Sequence, residues 1–591
     1  MAEMNTEIPS KPPTLSGQDR YTLRHYSLAA LPATVALLAI YAFFYTSYFH
    51  YAPLAEDLSV LLGSQANPLT WFTDGFSHYF GLYPEWPSLG YDFVRPGVNL
   101  ILRFEHFLFG NHFWAYFALL YAAQLTVCLL VIDTLRMTGM SPLLSAVFGF
   151  LTAINPAFCG EALKVVSFQF DIWCGLLAFL SFYLILKDRY WLALTCISAA
   201  VFTKETAFYV PITACITVYL RTRRPALAAS MLAPLLAWLA VWNFVFVGHL
   251  GGIYAVHLSV YGFLKITKGL LMWPTGILDP GTLRQMVDRR SIHSLLPNVS
   301  VMLANLALWV ILAFSAMTTI KHTYLSAAYF RRHLTDSDEG PTRALLPIVL
   351  LWLAGALAFG VLVGHQARFG GSIYPFELVF AGLLVARSSR PTLLRLGSAA
   401  TTILALAFVW NTSLRLHLDH GPDLTARMLT AIKAHSHNAS VIYVVNAPAM
   451  DSNPDSIATM ADSPAKIVIL NQFEGCTAAT GDTITFDTST QNTTNVVELS
   501  IRAQLPTCAA LYLVGVLPSV QALGVQGRLN RGTFASYQFP EGRILTPTTA
   551  MGSEPTVNLG QKLDLRLKPG PPGSYAVLYY DWSTGSYASR N

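Results

Sequence analysis

The sequence predicts a mainly α-helical membrane protein that ends in a soluble C-terminal domain. Three observations predict it. Hydrophobic residues make up 53% of the 591-residue chain and charged residues only 12%, about half the charged share usual in soluble proteins. The apolar residues gather into about eleven runs, most near the roughly 20 residues that cross a hydrocarbon core. Beyond residue 440 the texture changes to short β-like runs separated by Gly, Pro, Asn, Ser and Thr. No single soluble core could hide so much apolar side chain, so the bilayer is expected to solvate it.

The elements follow in chain order. Residues 1–26 are polar and rich in Pro, Ser and Thr, and are expected to form a disordered cytoplasmic tail. The run 27–49 is too long for a signal-peptide core and reads as an uncleaved anchor. Spans are expected near 27–50, 112–132, 142–158, 168–186, 190–203, 206–220, 226–247, 300–320, 345–363, 374–387 and 396–414. The pair covering 190–220 is short, and reads either as two tight helices or as one broken one. Two long loops, 51–111 and 248–299, separate spans. Within the first, 97–109 reads as an interfacial helix. Asn99, Arg103 and His106 fall on one polar face, and Leu100, Ile101, Phe104, Leu108 and Phe109 cover much of the rest. Residues 415–439 read as a linker and 440–591 as a β-rich or α/β domain.

Lys and Arg set the expected orientation. They are denser in the tail and in the loops near 133–141, 187–189, 221–224, 321–343 and 387–395 than in the loops between them. The N-terminus is therefore expected in the cytoplasm, and an odd number of spans puts the C-terminal domain outside.

The net charge of +5 is small and its basic residues are dispersed, so no nucleic-acid partner is expected. The seven cysteines show no zinc-ligand spacing. Cys128, Cys159, Cys174, Cys196 and Cys215 read as small packing residues. Cys476 and Cys508 could form a disulfide in an oxidising compartment.

Charged groups inside spans are costly, so their positions are informative. Asp171 and Glu377 each fall about one turn from the outer end of a span. Glu56, Asp57, Arg95, Glu161, Lys204, Glu205, His365 and Arg368 fall on the same side. A transporter would place such groups or broken helices near the midplane. A carboxylate held near lipid has its charged form disfavoured, which suits Glu56 or Asp57 to general-base chemistry. Arg95 can hold a phosphate with its planar fork or pair with a loop carboxylate. Each group also has a plain structural reading. Glu56 and Asp57 can be a solvated loop start, Asp171 a helix cap, Lys204 and Glu205 a local salt bridge, and Arg368 a residue that snorkels to headgroups. His365 reads most simply as an interfacial hydrogen-bonding residue. Trp71, Trp86 and Trp273 fit an interfacial aromatic belt.

Four stretches in sequence order carry a resemblance. They are Glu56-Asp57 at the start of the first loop; Arg95-Pro96 with the following helix and Phe109-Gly110-Asn111; Asn155-Pro156 through Glu161 to Gln169-Phe170-Asp171; and Thr203-Lys204-Glu205 with Pro211. A weaker fifth is Arg368-Phe369 with Tyr374-Pro375. Together they resemble the GT-C fold of polyprenyl-phosphate-sugar-dependent membrane glycosyltransferases, within it the protein O-mannosyltransferase and aminoarabinose transferase branch. The resemblance covers the first 220 residues well and the rest loosely.

It implies a GT-C helical bundle that moves a sugar from a polyprenyl-phosphate donor to an extracytoplasmic acceptor, with inversion at the anomeric carbon. The acceptor would be a protein, a lipid-linked glycan or a polysaccharide. Asp57 or Glu56 would be the catalytic base, and Lys204, Arg368 and Arg95 would hold the donor phosphate. Glu161 and Asp171, with Glu205 and His365, would bind substrate. A divalent cation is compatible with these carboxylates, although no spacing requires one. The family often carries an Arg just before the acid matching Asp171, whereas this chain has Gln169-Phe170. Two other classes fit the many spans and the C-terminal domain: a transporter or flippase of a lipid-linked glycan, and an assembly protein acting through its C-terminal domain.

Overall fold

The computed structural model describes residues 96–110, 112–153, 169–246, 341–363, 373–387 and 421–448, and the strands and turns named below between 457 and 590. The expected spans at 27–50, 300–320 and 396–414 lie outside the described residues, as do most of both long loops.

Ten helices of the described residues precede the C-terminal part. They are α1 (Pro96–Phe109), α2 (Phe113–Arg136), α3 (Pro142–Ala153), α4 (Gln169–Leu186), α5 (Tyr190–Thr203), α6 (Tyr209–Thr222), α7 (Pro225–Ser230), α8 (Ala233–Phe246), α9 (Pro341–Val363) and α10 (Tyr374–Arg387). Helices α2 and α4 are long and apolar enough to cross a membrane.

Local sequence explains the ends. Proline opens α1, α3, α7 and α9, where its missing N–H costs no helical hydrogen bond. The Ser141 hydroxyl accepts from the Leu144 N–H at 3.4 Å and caps α3. The ambiguous stretch 190–220 is two helices, α5 and α6. Between them Lys204 is extended, at φ −157° and ψ 141°, and a 3-10 turn covers Glu205–Ala207. The run expected as one span at 226–247 is divided into α7 and α8. Pro234 has no N–H to bond the Ser230 carbonyl, so the helix breaks before it.

The core is aromatic where α4, α9 and α10 meet. Trp352 stacks on Phe376 with ring centroids 5.4 Å apart and meets the edge of Phe182 at 5.3 Å. Its indole N–H donates to the Thr217 hydroxyl at 2.9 Å. Around this core, large apolar side chains point outward, among them Leu143 (78% exposed), Trp191 (72%) and Leu236 (62%).

The C-terminal part begins with α11 (Gly421–His435). Strands β1 (Val441–Val445), β3 (Lys466–Ile469), β12 (Tyr575–Asp581) and β13 (Ser586–Arg590) form a mixed sheet in the order β13-β12-β1-β3. β1 lies parallel to β12 and to β3, and β12 and β13 form an antiparallel hairpin. Met428 and Ile432 of α11 pack against Ile442, Val444, Ala576 and Leu578. Those four residues share one face because Ile442 pairs with Ala576 and Val444 with Leu578. The expected linker 415–439 therefore contains a helix whose apolar face belongs to this core.

Two further sheets follow. One joins β2 (Ala447–Pro448), β4 (Gln472–Gly475), β7 (Ala509–Leu513) and β10 (Val557–Gly560) in the order β10-β7-β4-β2. The other joins β5 (Thr483–Gln491), β6 (Val496–Gln504), β8 (Gln526–Leu529), β9 (Thr533–Tyr537) and β11 (Lys562–Leu567) in the order β5-β6-β11-β9-β8. The four β-like runs read from the sequence correspond to β1, β3, β7 and β12. Cys476 and Cys508 lie outside the described residues.

Candidate functional site

Helices α4 and α5 form an antiparallel hairpin that turns at Lys187, Asp188 and Arg189. Asp188 holds a positive φ of 57° in that turn. The 18 residues of α4 and 14 of α5 span about 27 and 21 Å at 1.5 Å per residue. The start of α4 and the end of α5 therefore lie at the same end of the bundle, some 20 Å or more from the turn.

Two sequence features aim charges at each other there. Asp171 sits in the first turn of α4, where the helix dipole favours an acid. Lys204 leaves α5 with an extended backbone, which frees its side chain from the helix surface. Lys204 Nζ donates to Asp171 Oδ1 at 2.5 Å, with side chains only 5% and 2% exposed. Lys204 is thus bonded to Asp171 across the hairpin. Glu205 opens the 3-10 turn directly after it, and the Thr206 hydroxyl lies 3.4 Å from Cys174 Sγ of α4.

A second polar pair stands beside the first. Helix α1 crosses α5 closely at Gly97. A Cβ there would lie 2.7 Å from the Thr203 hydroxyl and 3.0 Å from the Phe202 carbonyl. The crossing carries Glu105, which is 0% exposed, to the first turn of α4. Gln169 Nε2 donates to Glu105 Oε2 at 2.7 Å, and Trp173 Nε1 donates to Gln169 Oε1 at 3.2 Å. Glu105 Oε1 and Asp171 Oδ2 are buried without a hydrogen-bond partner among the described residues. The arrangement offers a buried ammonium, two buried carboxyl groups and two carboxyl oxygens open to a further donor. Glu377, in the first turn of α10, is buried as well.

Of the residues expected at the site, the structure brings Asp171, Lys204 and Glu205 together. Glu56, Asp57, Arg95, Glu161, His365 and Arg368 lie outside the described residues. Among the described residues, no group of three or more His, Cys, Asp or Glu side chains could hold a metal ion.

Glu105 was missed because the reading of 97–109 sought one polar face. Among the described side chains of α1, Leu100, Phe104, Phe107 and Leu108 are exposed, and those of Asn99, Arg103 and His106 lie outside the description. Leu102 and Glu105 are buried. The available signal was the i, i+3 spacing of Glu105 from Leu102.

The fold and site thus describe a mostly helical protein with two helices able to cross a membrane and a buried ion pair at the junction of four helical segments. No family model matches the chain, and no curated protein matches it.

Proposed function

We propose that this chain is a multi-pass GT-C membrane glycosyltransferase, moving a sugar from a polyprenyl-phosphate donor to an extracytoplasmic acceptor. The observation that carries the reading is the buried Asp171–Lys204 pair at the end of the α4–α5 hairpin. A buried ion pair is weak evidence for stability, since apolar residues of similar volume often do as well. Its presence inside an apolar bundle therefore favours a chemical role.

In this reading the acceptor O–H attacks the anomeric carbon while the bond from that carbon to the phosphate oxygen breaks. Asp57 or Glu56 takes the acceptor proton. The leaving phosphate gains charge, and Lys204 stabilises it, aided by Arg368 and Arg95. Asp171 orients the Lys204 ammonium before the donor arrives. Glu161, Glu205 and His365 contact the sugar or acceptor.

Two observations support membrane embedding. The helices expose large apolar residues over their outer surface. The turn of the hairpin and the end of α6 carry Lys187, Arg189, Arg221, Arg223 and Arg224; Arg221 contacts Asp188 at 3.0 Å and Lys187 lies 3.9 Å from Asp133. A basic end fits the cytoplasmic side. The Asp171–Lys204 end and the C-terminal domain are then assigned to the outside.

The test is transfer from a polyprenyl-phosphate sugar in membranes carrying the full chain. Lys204→Met is expected to lower kcat at least a hundredfold. Asp57→Asn or Glu56→Gln, whichever removes the base, is expected to do the same. Full activity in all three variants would remove the reading. Movement of an intact lipid-linked glycan across sealed vesicles, with no bond changed, would favour a flippase instead.

A further inference from the structure

Glu105 is a buried carboxyl that the proposed chemistry does not use. Its surroundings can be read group by group. Helix α4 presents Gln169, Asp171 and Trp173 at this junction; α2 presents Tyr116; Lys204 and Glu205 follow α5. Lys204 is committed to Asp171. Among the described residues no Lys, Arg or His forms an ion pair with Glu105.

The hydrogen bonds fix the orientation. An indole N–H can only donate. Trp173 therefore holds the Gln169 carbonyl oxygen towards itself, and the Gln169 amide nitrogen must face Glu105. Glu105 Oε2 accepts that N–H. Oε1, buried without a partner among the described residues, is the oxygen left to carry a proton. One amide N–H cannot offset the desolvation of a carboxylate.

We infer that Glu105 is a positioning residue, held as an uncharged acid, whose bond to Gln169 registers α1 against the first turn of α4, where Asp171 meets Lys204. Its catalytic consequence rests on the glycosyl-transfer reading, whereas its protonation state does not. Burial lifts the carboxyl to about 8, against a smaller downward pull from the Gln169 hydrogen bond. The folded value lies above the ordinary one near 4.5. The contact therefore contributes fully below about pH 4.5 and is lost as pH rises through about 8.

The experiment uses the full chain in lipid nanodiscs. Infrared difference spectra of wild type against Glu105→Gln are expected to show a protonated-carboxyl C=O band at neutral pH. That band should vanish as pH passes about 8. The thermal midpoint of wild type should fall between about pH 4.5 and 8 and level off above, while that of Glu105→Gln stays flat over that range. Gln169→Leu removes the N–H donor that Glu105 has among the described residues, so it should shift the band to higher frequency without abolishing it. This second variant keeps the test sharp if Glu105→Gln does not fold. A carboxylate signal from Glu105 at neutral pH, or a band unmoved by Gln169→Leu, would overturn the inference.

If transfer is observed, wild-type kcat should decline as pH rises through about 8, and Glu105→Gln should rescue most of what Glu105→Ala loses and show no such decline. Glu105→Ala should cost at least tenfold in kcat. A wild type that transfers no sugar would sink the transfer reading and leave the infrared result decisive for Glu105.

Discussion

At the residue scale, the question is whether Asp171 and Lys204 stabilise the fold or are kept for chemistry. Removing one member of a buried pair leaves an uncompensated charge and costs about 3–5 kcal/mol. Removing both in favour of apolar groups of similar volume is often neutral. Lys204→Met alone should therefore destabilise the protein by about that amount, and Asp171→Leu with Lys204→Met should recover most of it. Denaturant unfolding of the three proteins in one detergent checks this. A double variant that folds like wild type yet transfers no sugar separates chemistry from stability. A double variant as unstable as the single one would mean that the pair is structural. Both charges were legible in the sequence, because each interrupts an apolar run near its end. Their pairing was not, because it depends on the hairpin bringing residues 33 positions apart into contact. Glu105 was illegible for a different reason. Run length and face counting place Phe104 on the apolar side of α1 but do not show that the neighbouring Glu105 is turned into the bundle.

At the element scale, close helix crossings decide where these side chains stand. Without a strong hydrophobic drive between helices in lipid, small residues at crossings allow tight packing. Gly97 serves the α1–α5 crossing, and Gly355 serves the α6–α9 crossing, where a Cβ would lie 2.6 Å from the Thr213 methyl. The two cases differ in what must yield. At Gly355 the nearest atom belongs to a side chain. At Gly97 the contacts include the Phe202 carbonyl and the Thr203 Cα, both backbone. Gly97→Leu should therefore displace α1 rather than a rotamer, at about 1–3 kcal/mol or more. It should also weaken the Glu105–Gln169 bond. The readout is the Glu105 infrared band, expected to lose its dependence on Gln169→Leu in the Gly97→Leu background. Retention of that dependence would show that α1 keeps its register despite the larger side chain. The helices themselves were largely legible from apolar run length; the starts of α4, α5 and α10 fall within one residue of expectation. The break between α7 and α8 was not anticipated, because run length alone overlooks Pro234.

At the scale of the whole molecule, the change of texture near residue 440 marked a new folding unit but placed its start too late. The strands were visible as short β-branched and aromatic runs, whereas α11 has the mixed polarity of a surface helix and resembles a tether. Its contribution can be sized. Leu429 and the fully buried Met428 and Ile432 each stabilise by roughly 1.5–3 kcal/mol on burial. Their sum, roughly 5–9 kcal/mol, matches much of the 5–15 kcal/mol that holds a typical domain together. Without α11, the face made by Ile442, Val444, Ala576 and Leu578 would be left open to water. A soluble fragment of residues 415–591 should therefore unfold cooperatively on heating. A fragment of residues 440–591 should aggregate or melt without a transition. Circular dichroism and limited proteolysis on the two fragments decide the matter. Equal stability would mean that α11 is a tether after all, and that the β1–β12 face finds its cover elsewhere in the chain.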